Sequence, residues 1–146
     1  MRREAWTAAA VFAADRIAKA LSVRIPPEGT TLIPGVLGLR QARNTGMAFS
    51  LLSGHPVLLG ILSLAILAGA FVLLRGKKLS GLTRTALALM LGGALGNLAD
   101  RLLTGYVPDM LEFLFVNFAV FNVADACLVI GCGLAVLDLL REGKHD

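Results

Sequence analysis

The sequence predicts an all-α membrane protein of four transmembrane helices, with a small extracytoplasmic β-like platform between helices one and two. Of its 146 residues, 56% are hydrophobic and only 16% are charged, a balance unlike that of a soluble domain. The mean hydropathy is +0.74, and the apolar residues fall into four runs, each near the roughly 20 residues needed to cross a hydrocarbon core of about 30 Å. The basic residues stand in short clusters between those runs. One integral membrane domain, residues 1–146, accommodates the whole chain, with spans at about 5–21, 55–74, 83–103 and 117–140.

The first run, residues 5–21, carries Asp15, Arg16 and Lys19; three charges in such a core argue against a cleavable signal peptide. Asp15 and Lys19 are one helical turn apart and can pair, offsetting part of each other's desolvation. The pair either supports structure and positions a neighbour or touches a substrate directly. Trp6 is most simply an interfacial anchor.

Residues 22–54 hold short apolar stretches at 31–33 and 36–39, punctuated by Pro26, Pro27, Pro34, Gly35 and Gly38. That pattern suggests strands and turns lying on the membrane surface. The segment ends in Asn44-Thr45-Gly46, where Asn44 and Gly46 suit a turn needing positive φ or close backbone approach.

The second run, 55–74, has no charge in its core. In the third, 83–103, Gly92-Gly93-Ala94-Leu95-Gly96 permits close packing on a neighbouring helix. Asn97, Asp100 and Arg101 follow at i, i+3 and i+4, on one helical face. Residues 104–116 form a short outer loop containing Asp109 but no lysine or arginine, and the fourth run, 117–140, contains Asn122 and Asp125. Cys127 and Cys132, five apart, point from divergent faces, so a disulfide is not expected; they read as buried thiols, and two cysteines alone make no zinc site.

Arg2 and Arg3, then Arg75, Lys77, Lys78 and Arg84, then Arg141 and Lys144, all fall on one side of a four-span protein. Both termini are therefore expected in the cytoplasm. The net charge of +4 lies in these clusters and in no stripe interleaved with aromatics, so nucleic acid is not an expected partner.

A carboxylate at the centre of a membrane helix costs about 2.5–3.5 kcal/mol on insertion scales, so each needs a partner or a purpose. Asp100 and Arg101 can tie helix three to the outer loop by ion pairs. Asn97 and Asn122 can be interhelical glue, or can hold substrate backbone or orient a carboxylate. Asp109 and Asp125 have no lysine, arginine or histidine within four residues, and structure and chemistry both remain open for them. Should they meet, they would share a proton and titrate as a unit, as in aspartic proteases.

Other hydrolytic constellations fare worse. The histidines are His55 and His145, neither cysteine has a histidine nearby, and there is no H-E-x-x-H or G-x-S-x-G. A Ser22–Lys19 dyad competes poorly with Asp15 for the lysine. A proton-coupled small transporter would want polar residues continuing through mid-bilayer to both faces, whereas here they gather toward one.

Four ordered motifs resemble the bacterial lipoprotein signal peptidase (signal peptidase II) family. Asp15-Arg16-Ile17-Ala18-Lys19 is similar to its D-x-x-x-K, and Asn44-Thr45-Gly46-Met47-Ala48-Phe49 to its N-T-G-x-A-F. Gly92 through Arg101 resembles G-G-A-x-G-N-x-x-D-R, and Phe121-Asn122-Val123-Ala124-Asp125 resembles F-N-x-A-D. The resemblance implies an aspartic endopeptidase with Asp109 and Asp125 as catalytic dyad. It further implies that Asn44, Gly46, Asn97, Asp100, Arg101, Asn122 and Ala124 support the site or hold the peptide. Diacylglyceryl-prolipoproteins would be the substrates, membrane lipid the surroundings, a monomer the working form, and no metal or other cofactor would be needed. Pro108, Met110, Ala126 and Arg16 depart from the family's usual residues, and a catalytically inactive, lipopeptide-binding relative stays possible on sequence alone.

Overall fold

The computed structural model describes residues 2–46, 55–74, 76 and 78–142. Residues 47–49 of the Asn-Thr-Gly segment, and Arg75, Lys77 and Lys144 of the basic clusters, lie outside the described residues. The elements are α1 (Arg2–Ser22), β1 (Thr30–Ile33), β2 (Leu37–Asn44), α2 (Pro56–Leu74), α3 (Gly81–Leu103), β3 (Val107–Phe113) and α4 (Val123–Glu142). By length and apolar character, Gly81–Leu103 and Val123–Arg141 suffice to cross a bilayer, and α2 carries a shorter apolar stretch, Val57–Gly69.

α3 is the central helix, packed on α1, α2 and α4. Its glycines explain how. A Cβ at Gly92 would stand 2.6 Å from Ala8 O on α1, and one at Gly93 would stand 2.5 Å from Ala124 O on α4. Successive small residues therefore admit two neighbours, where the sequence suggested one. The remaining contacts follow the same rule: Gly60 of α2 faces Leu98, and Gly131 of α4 faces Met90 and the Ala86 carbonyl. Small residues let backbones approach where the hydrophobic effect gives no drive between helices.

The outward faces are apolar. Leu58, Ile61 and Ile66 on α2, and Val129, Leu139 and Leu140 on α4, are each more than half exposed. A belt of that extent belongs against lipid. The same one-sided packing corrects the reading of the cysteines as buried: both are free, Cys127 half-buried and Cys132 exposed on the uncovered side of α4.

The strand platform is present and larger than expected. β1, β2 and β3 form one antiparallel sheet in that order. β3 comes from the α3–α4 connection, so Asp109 sits on a strand and not in a plain loop. Pro108, opposite Arg43, obscured this strand in the sequence; it is tolerated because β3 is the last strand of the sheet. One extra residue bulges β2 between Leu39 and Ala42, next to the Ala42–Asp109 pair, a device that re-aims side chains near functional sites.

Helix ends also moved. α4 starts at Val123, six residues into the predicted run, because the chain before it stays extended and Phe121 pairs with Leu111 of β3. α3 starts at Gly81 under the N-cap Ser80, whose hydroxyl oxygen accepts from Thr83 N. The Ser80 and Thr83 hydroxyls both donate to Asp138, a buried carboxylate on α4 that the sequence reading passed over.

Candidate active site

The site grows from the start of α4. Asn122 is the N-cap: its Oδ1 accepts from Asp125 N at 2.9 Å, while Asp125 Oδ2 accepts from Asn122 N at 3.3 Å. This reciprocal cap satisfies helix-end donors and fixes Asp125 in the first turn. The other carboxylate oxygen, Oδ1, accepts from Asn97 Nδ2 of α3 at 2.7 Å.

Asp109 arrives from β3. Its Oδ1 accepts from Asn122 Nδ2 at 2.6 Å and its Oδ2 from Asn44 Nδ2 at 3.1 Å. Asn44 Oδ1 in turn accepts from Gly46 N, closing the turn at the end of β2. Asn122 therefore touches both carboxylates, one through its side chain and the other through its backbone. Asp109 and Asn122 are buried, at 2% and 0% exposure, whereas Asp125 is half-buried.

Burial pushes the Asp109 carboxyl up to about 6, with the neighbouring charge of Asp125 adding to the rise and the amide donors of Asn122 and Asn44 opposing it. Desolvation outweighs the hydrogen bonds. Among the described residues no cation forms an ion pair with either aspartate. Arg101 holds the rim instead, donating to Asn97 O at 3.3 Å and to Gly46 O at 3.2 Å.

A second cluster adjoins the first. Asp15 Oδ2 lies 2.8 Å from Lys19 Nζ and 3.3 Å from Arg16 Nη2; Asp100 lies 2.6 Å from each of the same two cations. Asp15 Oδ1 also accepts from Ala124 N at 3.1 Å. Two negative and two positive charges are thus matched where α1, α3 and α4 meet. Gly96 makes the room, since a Cβ there would fall 2.6 Å from Asp15 Oδ2.

The structure gathers Asn44, Gly46, Asn97, Arg101 and Asn122 around Asp109 and Asp125. It places Asp100 elsewhere: rather than tying α3 to the outer loop, Asp100 is an α1 partner, because Arg16 and Lys19 reach it across the helix interface. Ala124 serves Asp15 rather than the carboxylate pair. Ser22 Oγ donates to the Lys19 carbonyl and not to its amine, so no Ser–Lys dyad forms. For Arg16 the sequence shows a charge in the first apolar run and a departure from a motif; its position beside Asp15 in that run is the signal that it needs an acidic partner.

The sequence pattern of the family described as signal peptidase (SPase) II matches residues 7–141. A lipoprotein signal peptidase of Thermosynechococcus vestitus is 40% identical over 132 residues, covering 86% of this chain and 84% of that protein. One of Brevibacillus brevis is 36% identical over 142 residues and 95% of both chains. A solved bacterial membrane enzyme, 29% identical, superposes with a TM-score of 0.90 over 100% of this chain and 92% of its own. A second, 30% identical, reaches 0.84 over 97% and 94%. With the family pattern and these relatives spanning nearly its whole length, the chain belongs to the signal peptidase II family.

Proposed function

We propose that this protein is an aspartic endopeptidase that removes signal peptides from diacylglyceryl-modified prolipoproteins, cutting on the amino side of the lipidated cysteine. The names of its relatives, lipoprotein signal peptidases, support the reaction. The observation that carries the residue assignment is the pair Asp109 and Asp125: two carboxylates joined through Asn122, served by neutral amide donors and by no ion-paired cation among the described residues.

In this mechanism the active pair shares one proton. Asp109, the more buried, holds it. Asp125, the more open, takes a proton from water as that water attacks the scissile carbonyl, and Asp109 hydrogen-bonds the carbonyl oxygen and helps protonate the leaving nitrogen. Asn44, Asn97 and Asn122 orient the carboxylates, while Arg101 steadies the Gly46 turn beside the peptide. The chain spans the membrane four times with both termini cytoplasmic, places the site near the outer face, and works as a monomer, leaving the substrate's acyl chains in lipid.

The test is cleavage of a diacylglyceryl-modified prolipoprotein by purified wild type, Asp109→Asn and Asp125→Asn. Wild type should yield the mature band and both folded variants should not. Cleavage by either variant removes that residue from the dyad.

A further inference from the structure

We propose that Lys19 is a positioning residue for the carboxylate pair, acting through the amide of Asn97; this rests on the assignment of Asp125 to the dyad. The Lys19 ammonium, 5% exposed, has three polar neighbours: Asp15 Oδ2 at 2.8 Å, Asp100 Oδ2 at 2.6 Å and Asn97 Oδ1 at 2.9 Å. An ammonium can only donate. It therefore requires an oxygen from Asn97 and dictates which end of that amide faces it.

The other end is then an NH2 group, and it points at Asp125 Oδ1, 2.7 Å away. Turning the amide over would set NH2 against NH3+ and a carbonyl oxygen against a carboxylate, two repulsions in place of two hydrogen bonds. Asn122 Nδ2, 3.3 Å from the same Asn97 Oδ1, reinforces the choice and carries it to Asp109, to which it also donates. Asp15 and Asp100 hold Lys19, Lys19 holds Asn97, and Asn97 holds Asp125. A charge-balanced cluster thus sets the donor pattern of an unbalanced one, with Lys19 touching neither aspartate of the pair.

A double-mutant cycle separates this role from general support of the fold. Lys19→Met alone leaves a buried carboxylate short of a cation, so it is measured in the Asp100→Asn background, where one negative and one positive charge are removed together. In that full-length, detergent-purified background Lys19→Met should lower kcat by about tenfold with KM changed less than about twofold. Once Asn97→Ala is also present, the same Lys19→Met change should alter kcat by less than about twofold. A tenfold loss that persists without Asn97, or no loss with Asn97 in place, overturns the proposal. Asp125→Asn in the same series identifies which idea failed. If it still cleaves, the dyad assignment falls and the role of Lys19 with it; if it is dead and the cycle is additive, only the role of Lys19 falls.

Discussion

Two buried clusters of ionisable groups meet at the junction of α1, α3 and α4, and they are built in opposite ways. In one, Asp15 and Asp100 face Arg16 and Lys19, charge for charge, at 2.6–3.3 Å. In the other, Asp109 and Asp125 face the amides of Asn44, Asn97 and Asn122. A balanced cluster cancels its own charge and is suited to holding helices together. Neutral donors satisfy the oxygens yet leave the proton count free to change, which is what acid–base chemistry requires. The contrast separates four aspartates by what surrounds them in space.

The largest stability effect should follow from unbalancing the first cluster. Asp15→Ala leaves Arg16 and Lys19 to share Asp100 alone and strips the Ala124 N–H of its acceptor, and removing one partner of a buried ion pair typically costs about 3–5 kcal/mol. Thermal unfolding of the detergent-solubilised protein should register it.

The second cluster should respond to pH. The Asp109 carboxyl titrates near 6 in the folded protein, against an ordinary value near 4. Between those values the native state holds a proton that the unfolded chain has released, so this contribution is complete below about pH 4 and lost as pH rises through about 6. Its size is on the order of 3 kcal/mol. Asp109→Asn should flatten the stability profile in that window; an unchanged profile would mean that Asp109 is not the group responsible.

Packing comes next. Gly93→Ala drives a Cβ to 2.5 Å from the Ala124 carbonyl, and overpacking of this kind costs about 1–3 kcal/mol. The displaced α4 would carry Asp125 with it, so cleavage should fall alongside stability. The smallest effect belongs to the exposed Arg40–Glu112 pair across β2 and β3, 2.9 Å apart. Arg40→Ala should cost no more than about 1 kcal/mol and leave cleavage untouched, marking the difference between a surface pair and the buried cluster.

Much of this arrangement was legible before any coordinates. Apolar runs long enough to cross a bilayer mark the helices, and the expense of charge in lipid singled out Asp15, Lys19, Asp100 and Asp125. Asn122 and Asp125 stood out as polar residues three apart in one apolar run. The third strand was not legible, because Pro108 and a short connection read as loop when no sheet edge is in view. Nor were the partners of Asp100: the outer loop was the expected anchor, while the cations that reach it, Arg16 and Lys19, belong to α1, Arg16 lying 84 positions away. Choosing Asp109 over Asp100 as a dyad member needed the family resemblance. The difference between them is physical only in three dimensions, where one has two cations and the other two amides.

The most direct measurement compares Asp15→Asn with Asp125→Asn, recording unfolding temperature and cleavage per folded molecule for both. Asp15→Asn should unfold well below wild type while losing no more than about tenfold in cleavage; Asp125→Asn should unfold near wild type while losing at least about a thousandfold. If Asp125→Asn still cleaves, or if Asp15→Asn is stable and dead, the division between a balanced structural cluster and an unbalanced catalytic pair is wrong.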